Sequence, residues 1–163
     1  MQLDIMAIGA HPDDIELSCS GTLLKHIDEG RKVGLVDLTQ GELGTRGSAS
    51  LRLEEAEVAR VKMGALMREN LGMPDGFFNW GKENLVKVVE VIRRYRPAIV
   101  LANTLSDRHP DHGRAAKLIA DACFYAGLRK IETREPGGTF QEAWRPRALY
   151  HYIQDYLLEP DFV

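Results

Sequence analysis

Two segments of this chain pack imidazole, carboxylate and proline into four residues: His11-Pro12-Asp13-Asp14 and His109-Pro110-Asp111-His112. From the chain's own composition, one His-Pro-Asp triplet arises by chance in roughly one chain in seventy of this length. Two are present. Imidazole and carboxylate are good zinc ligands, and a catalytic zinc site uses three protein ligands and leaves a position for water. Proline fixes φ, so each turn presents its donors in preset directions. Neither segment contains cysteine, which argues against a closed structural zinc site. The plainer alternative is that Asp13 and Asp111 are helix N-caps, a job that can coexist with orienting a histidine.

The elements around these segments place both on one rim. Apolar runs predict strands over 3–8, 32–38, 68–71, 98–102 and 148–154. Helical spacing predicts helices over 15–29, closed by Gly30; 53–67, capped by Ser50 with Glu54, Glu55 and Glu57 in its first turns; 85–95, stopped by Pro97; and 111–126. Residues 39–50, 72–76, 103–110 and 134–145 read as turns or irregular chain, and 160–163 as the opening of another strand. Strands alternating with helices imply an α/β fold, a Rossmann-like, mainly parallel sheet flanked by helices in a single domain over 1–163. Both His-Pro-Asp segments follow a strand and precede a helix. That is the carboxyl edge, where parallel sheets bind ligands.

The bulk properties narrow the function. The chain has 163 residues, 44% of them hydrophobic, a net charge of −3 and a pI near 6.0. That suits one domain with a real core and gives no basic stripe for nucleic acid, so a small-molecule partner is expected. Two cysteines, Cys19 and Cys123, make no disulfide framework, and no signal peptide or membrane span is legible. A cytoplasmic protein is expected. Gly9-Ala10-His11-Pro12-Asp13-Asp14 stands where a dinucleotide binder would carry its glycines, but two are missing and acids replace them, which argues against nicotinamide or flavin. His26, His151, Trp80, Trp144, Met63 and Met67 read as structural residues.

The paired motifs resemble the LmbE-like (PIG-L) family of zinc-dependent N-acetylglucosaminyl deacetylases. Residues 41–47, Arg52, 68–72 and Asp107-Arg108 bring the resemblance closest to the bacillithiol-biosynthesis branch. The resemblance implies one zinc per chain held by His11, Asp14 and His112. It implies Asp13 as general base, His109 as the group that protonates or polarises, Asp111 as its orienting partner, and Arg52 as a substrate holder. The implied substrate is N-acetylglucosaminyl-malate, an N-acetylated glucosaminide, with acetate released. Homo-oligomers are implied too, hexamers being common in that branch. Much of the family has Glu directly after the second Asp; here Ile15 intervenes, so Glu16 receives no role. Family members also run further, which makes 1–163 an expected C-terminal truncation.

The residues themselves support this chemistry. Zinc on two imidazoles and one carboxylate can lower the pKa of water to about 7. A carboxylate such as Asp13 can take its proton, and either Asp13 or His109 can return one to the leaving amine. Arg46 and Arg52 lie in or after the Gly-rich loop, and a guanidinium matches a malate carboxylate bidentately. Glu42 is a candidate for sugar hydroxyls. The alternatives are another metal hydrolase, such as a two-metal phosphoesterase, and a non-catalytic metal-binding relative.

Overall fold

A computed structural model of the chain describes residues 1–162. Five strands form one parallel sheet in the order β3-β2-β1-β4-β5. They are β1 (Ile5–Gly9), β2 (Val33–Thr39), β3 (Met67–Met73), β4 (Ile99–Asn103) and β5 (Ala148–Tyr152). Central β1 and β2 are buried along their whole length. That is why β1 reads as an apolar run and β2 as a mainly apolar one, interrupted at Asp37, and neither alternates.

Successive residues of β1 serve opposite faces. Met6 and Ile8 pack with Leu85, Val88 and Ile92 of α4 (Lys82–Tyr95) and with Leu118 and Ile119 of α5 (Pro110–Ala126). Ile5 and Ala7 pack with Ile15 of α1 (Asp14–Ser18), Leu23 of α2 (Ser20–Asp28) and Met63 of α3 (Ala49–Met63). Helices thus cover both faces of the sheet. Among the described residues no helix is long and apolar enough to cross a membrane.

Local boundaries differ from expectation for identifiable reasons. The helix expected over 15–29 is broken at Cys19, where φ is −136°. The Ser20 hydroxyl there bonds the Glu16 carbonyl, a local bond that competes with the helical ladder. Helix α3 starts four residues earlier than expected. Its cap is Ser48, not Ser50, with the Ser48 hydroxyl accepting from the Leu51 N–H. No acidic residue therefore lies in its first turn. Gly64 ends α3 in the left-handed region at φ 81°, which frees Met67 to begin β3. Residues 160–162 form no strand, and Val163, the end of the expected one, lies outside the described residues.

The strand order reverses between β1 and β4. Connections from β1 run outward to β2 and β3, and those from β4 run the other way to β5. The two strands are paired directly, Ile8 beside Ala102, so the chain leaving each of them opens onto one crevice. Arg93, 2% exposed, fastens the far end of α5 by donating to the carbonyls of Ala126, Leu128 and Ile131.

Candidate metal centre

The first turn leaves β1 at Gly9 and folds back at once. The Asp13 and Asp14 N–H groups both point at the His11 carbonyl, at 2.9 and 3.3 Å. A Cβ on Gly9 would lie 3.1 Å from the Asp14 Cβ, so glycine lets α1 sit close to the strand end. The second turn precedes α5. His109 is its N-cap and Pro110 occupies the first turn. The His109 Nδ1 accepts the Asp111 N–H at 3.3 Å. His109 and His112 are three residues apart on the helix, and their rings stack with centroids 5.0 Å apart.

Asp14 is the hub. It is 2% exposed, yet five nitrogens surround its carboxylate. Oδ2 accepts the His11 N–H at 3.0 Å and the Asn103 amide at 3.0 Å. Oδ1 accepts the Gln154 amide at 2.8 Å and faces the His112 Nε2 at 3.2 Å. The His11 Nδ1 lies 3.6 Å from Oδ2. Burial opposes the charge on Asp14, but its bonds to His11 and His112 prevail and hold the carboxyl well below the usual range.

Each of these two histidines has a further carboxylate partner. The His112 Nδ1 meets Asp107 at 3.0 Å. The His11 Nε2 meets Asp75 at 3.0 Å and Asp111 at 3.3 Å. Burial lowers the His11 pKa, yet Asp14, Asp75 and Asp111 outweigh it and raise the value to about 9. His112 is also raised: burial opposes the shift, and Asp14 and Asp107 overcome it.

This arrangement fits a cation. A neutral His112 that donates from Nδ1 to Asp107 presents a bare Nε2 to an ionised Asp14, lone pair against lone pair. Only a proton or a metal ion between them makes that contact favourable. The donors are nitrogen and oxygen, which suit zinc, and a histidine backed by a carboxylate is the usual support of a zinc ligand. Donor atoms of His11, His109 and His112 also lie within 4.8 Å of one another, as do those of His11, Asp75 and Asp111.

The expected site residues divide into two groups. His11, Asp13, Asp14, His109, Asp111 and His112 converge on the crevice, with the three imidazole centroids 4.7–5.6 Å apart. Asp111 departs from its expected part. Its carboxylate accepts the Gly76 N–H at 2.8 Å and meets His11; only its backbone touches His109. Arg52 reaches the site by pairing with Asp13 at 3.2 Å. It also donates to the Gly41 carbonyl, and Gly41 and Gly44 make room for the guanidinium, since a Cβ on either would lie within 3 Å of it. Glu42 accepts the Asp75 N–H at 2.8 Å, and Arg46 is exposed on the loop. Glu16, given no role from sequence, pairs with Arg68, which also grips buried Asp37.

Asn103, Asp75, Asp107 and Gln154 were not legible as site residues. Each lies in a strand end or loop, and only Asp107 belongs to a segment that carried the family resemblance, without a role assigned to it. The one signal was position: Asn103 and Gln154 end segments that read as strands, and Asp107 lies in the loop before His109.

A doubly wound parallel sheet with a buried carboxylate between two carboxylate-backed histidines at its switch point defines an α/β domain with a candidate histidine–aspartate metal site. The family profile of PIG-L, GlcNAc-PI de-N-acetylase, matches residues 6–123, and the chain belongs to that family. The chain is 33% identical over 134 residues to diacetylchitobiose deacetylase from Thermococcus kodakarensis, covering 76% of this chain and 50% of that protein. It thus spans about half the length of that relative. It is 27% identical over 172 residues to 4-oxalmesaconate hydratase from Pseudomonas putida, covering 89% of this chain and 66% of that protein. The crystal structure of the conserved protein TT1542 from Thermus thermophilus superposes with a TM-score of 0.90 at 38% identity, covering 99% of this chain and 70% of that one.

Proposed function

We propose that the protein is a zinc-dependent N-deacetylase of N-acetylglucosaminides, with N-acetylglucosaminyl-malate as substrate and one zinc held by His11, Asp14 and His112. The observation that carries this reading is the buried Asp14 carboxylate contacted by both imidazoles, each backed by another carboxylate. The deacetylase relative supports the reaction class. Bound zinc would supply Lewis acidity toward the attacking water and the amide carbonyl.

The chain's own residues supply the proton transfers. Asp13 stands at the mouth, half exposed, and burial raises its pKa against the pull of Arg52. A carboxylate of raised pKa is a better base and, once protonated, a usable acid. Water attacks the acetamide carbon as its proton passes to Asp13. The C–N bond then breaks, acetate leaves, and Asp13 returns the proton to the amine. Burial and the neighbouring histidines lower the pKa of His109, which favours its neutral form. Its Nδ1 accepts the Asp111 N–H, which leaves the proton on Nε2. His109 is thus a neutral donor to the carbonyl oxygen rather than an imidazolium acid. Arg52, hinged on Asp13, is the group to meet a substrate carboxylate.

The test is amine release from N-acetylglucosaminyl-malate by zinc-loaded protein, with metal content measured on the same sample. Turnover at about one zinc per chain, abolished by chelator and restored by zinc, supports the reading. H11A and H112A should lose the metal. D13N should keep it and lose about 10²–10⁴-fold in rate. Full turnover by D13N would remove Asp13 as the base. Two metals per chain would favour a phosphoesterase. The hydratase relative motivates a second reading, water addition to an unsaturated acid. Loss of alkene absorbance without amine release would select it. Zinc binding with neither turnover would select a non-catalytic relative.

A further inference from the structure

We infer that two carboxamides, Asn103 and Gln154, are positioning residues that set the Asp14 carboxylate for metal binding, an inference that rests on Asp14 being a ligand. Asn103 is the last residue of β4 and is wholly buried. Its Oδ1 accepts the Ala10 N–H at 3.0 Å, which pins the side chain to the chain leaving β1. Its Nδ2 is thereby turned toward Asp14 Oδ2, 3.0 Å away. Gln154 arrives from the other direction, two residues past β5. Its Nε2 donates to Asp14 Oδ1 at 2.8 Å, and its Oε1 faces the Asn103 Nδ2 at 3.4 Å.

The amide of Gln154 has one sensible orientation here. Flipped, its oxygen would oppose a carboxylate oxygen and its nitrogen would oppose another amide nitrogen. Together the two carboxamides grip both oxygens of Asp14, one from each side. A buried carboxylate free to rotate about χ2 would spread its lone pairs over many directions. One held at both oxygens presents a single direction, and such outer partners are worth about 10–100-fold in metal affinity.

Gln154 has a further property. It lies beyond residues 6–123, the stretch that the family profile matches. The exit from β5 therefore closes the back of a centre whose motifs come from β1 and β4. Neighbouring Asp155 does the same on the other side, donating its N–H to Asp107 at 3.4 Å and pairing with Arg108 at 3.3 Å. No strand pairing depends on the Gln154 side chain, so its removal need not disturb the sheet.

The experiment measures zinc dissociation constants by competition with a chromophoric chelator, and the melting temperature of the zinc-free protein, for wild type, Q154M and N103D. Gln154→Met keeps length and flexibility but deletes the donor. Asn103→Asp keeps an acceptor for Ala10 but deletes the donor to Asp14. Q154M should weaken zinc about 10–100-fold while the zinc-free melting temperature holds, and N103D should weaken it at least as much. Affinity within about threefold of wild type would overturn the inference, whatever the melting temperature does. Should Q154M fail to fold, N103D decides by the same affinity criterion. A wild type that binds no zinc would instead defeat the ligand assignment itself, and the inference with it.

Discussion

Asp107 and Asp75 back the candidate ligands, a role that the sequence assigned to neither. Each receives the outer nitrogen of one histidine, Asp107 from His112 and Asp75 from His11. The carboxylate fixes the tautomer and leaves the inner nitrogen lone pair for a cation. D107N should therefore lower zinc affinity about 10–100-fold without removing a ligand, checked by the same chelator competition. An unchanged affinity would mean that the Asp107 contact is incidental. The six motif residues that met in the crevice were legible because their types and local spacing carry the chemistry. Asp107, Asp75, Asn103 and Gln154 were not, since an isolated Asp or amide means nothing until folding brings it to a histidine or to Asp14. The Asp111 carboxylate shows the same limit. Sequence placed it beside His109, but a helix N-terminus turns its side chain away from the cap residue and onto His11.

At the level of elements, strands and helices were legible in type and order, and errors gathered at ends. Ser48 and Ser50 are two residues apart, and their hydroxyls bond each other at 2.9 Å. Which of them caps α3 depends on backbone geometry: Ser48 is extended, at φ −135° and ψ 163°, as an N-cap must be. S48A should cost about 1 kcal/mol, or about 2–4 °C in melting temperature for a chain of this size, and S50A should cost less. Equal losses from the two changes, measured by thermal unfolding, would contradict the assignment. The break at Cys19 was invisible because Leu17, Leu23, Leu24 and Ile27 keep helical spacing across it. Yet Leu17 is 75% exposed, so apolar spacing alone overstated the buried face.

The whole molecule places a charged cluster beneath the site. Arg68 on β3 joins Asp37 on β2 to Glu16 on α1, and all three elements converge on one buried guanidinium. Burial pushes the Asp37 carboxyl from 3.8 up to about 6, against the pull of Arg68. The folded protein thus holds this proton more tightly than the unfolded chain does. The stability that follows is full below 3.8 and is lost as pH rises through about 6. The unfolding free energy of wild type relative to D37N should accordingly fall from pH 4 to pH 7, measured by urea titration. A flat or rising difference would refute the shift. The sheet order has one more consequence. Everything through Asp75 sits in the β1–β3 half with His11, Asp13 and Asp14, whereas Asn103, Asp107, His109, Asp111, His112 and Gln154 sit in the half that follows. A nick in the turn over 74–81 would leave the proposed ligands His11 and Asp14 on one fragment and His112 on the other. Under the proposed ligand set, a metal ion would behave as a clasp between two pieces, and its uptake would report their complementation.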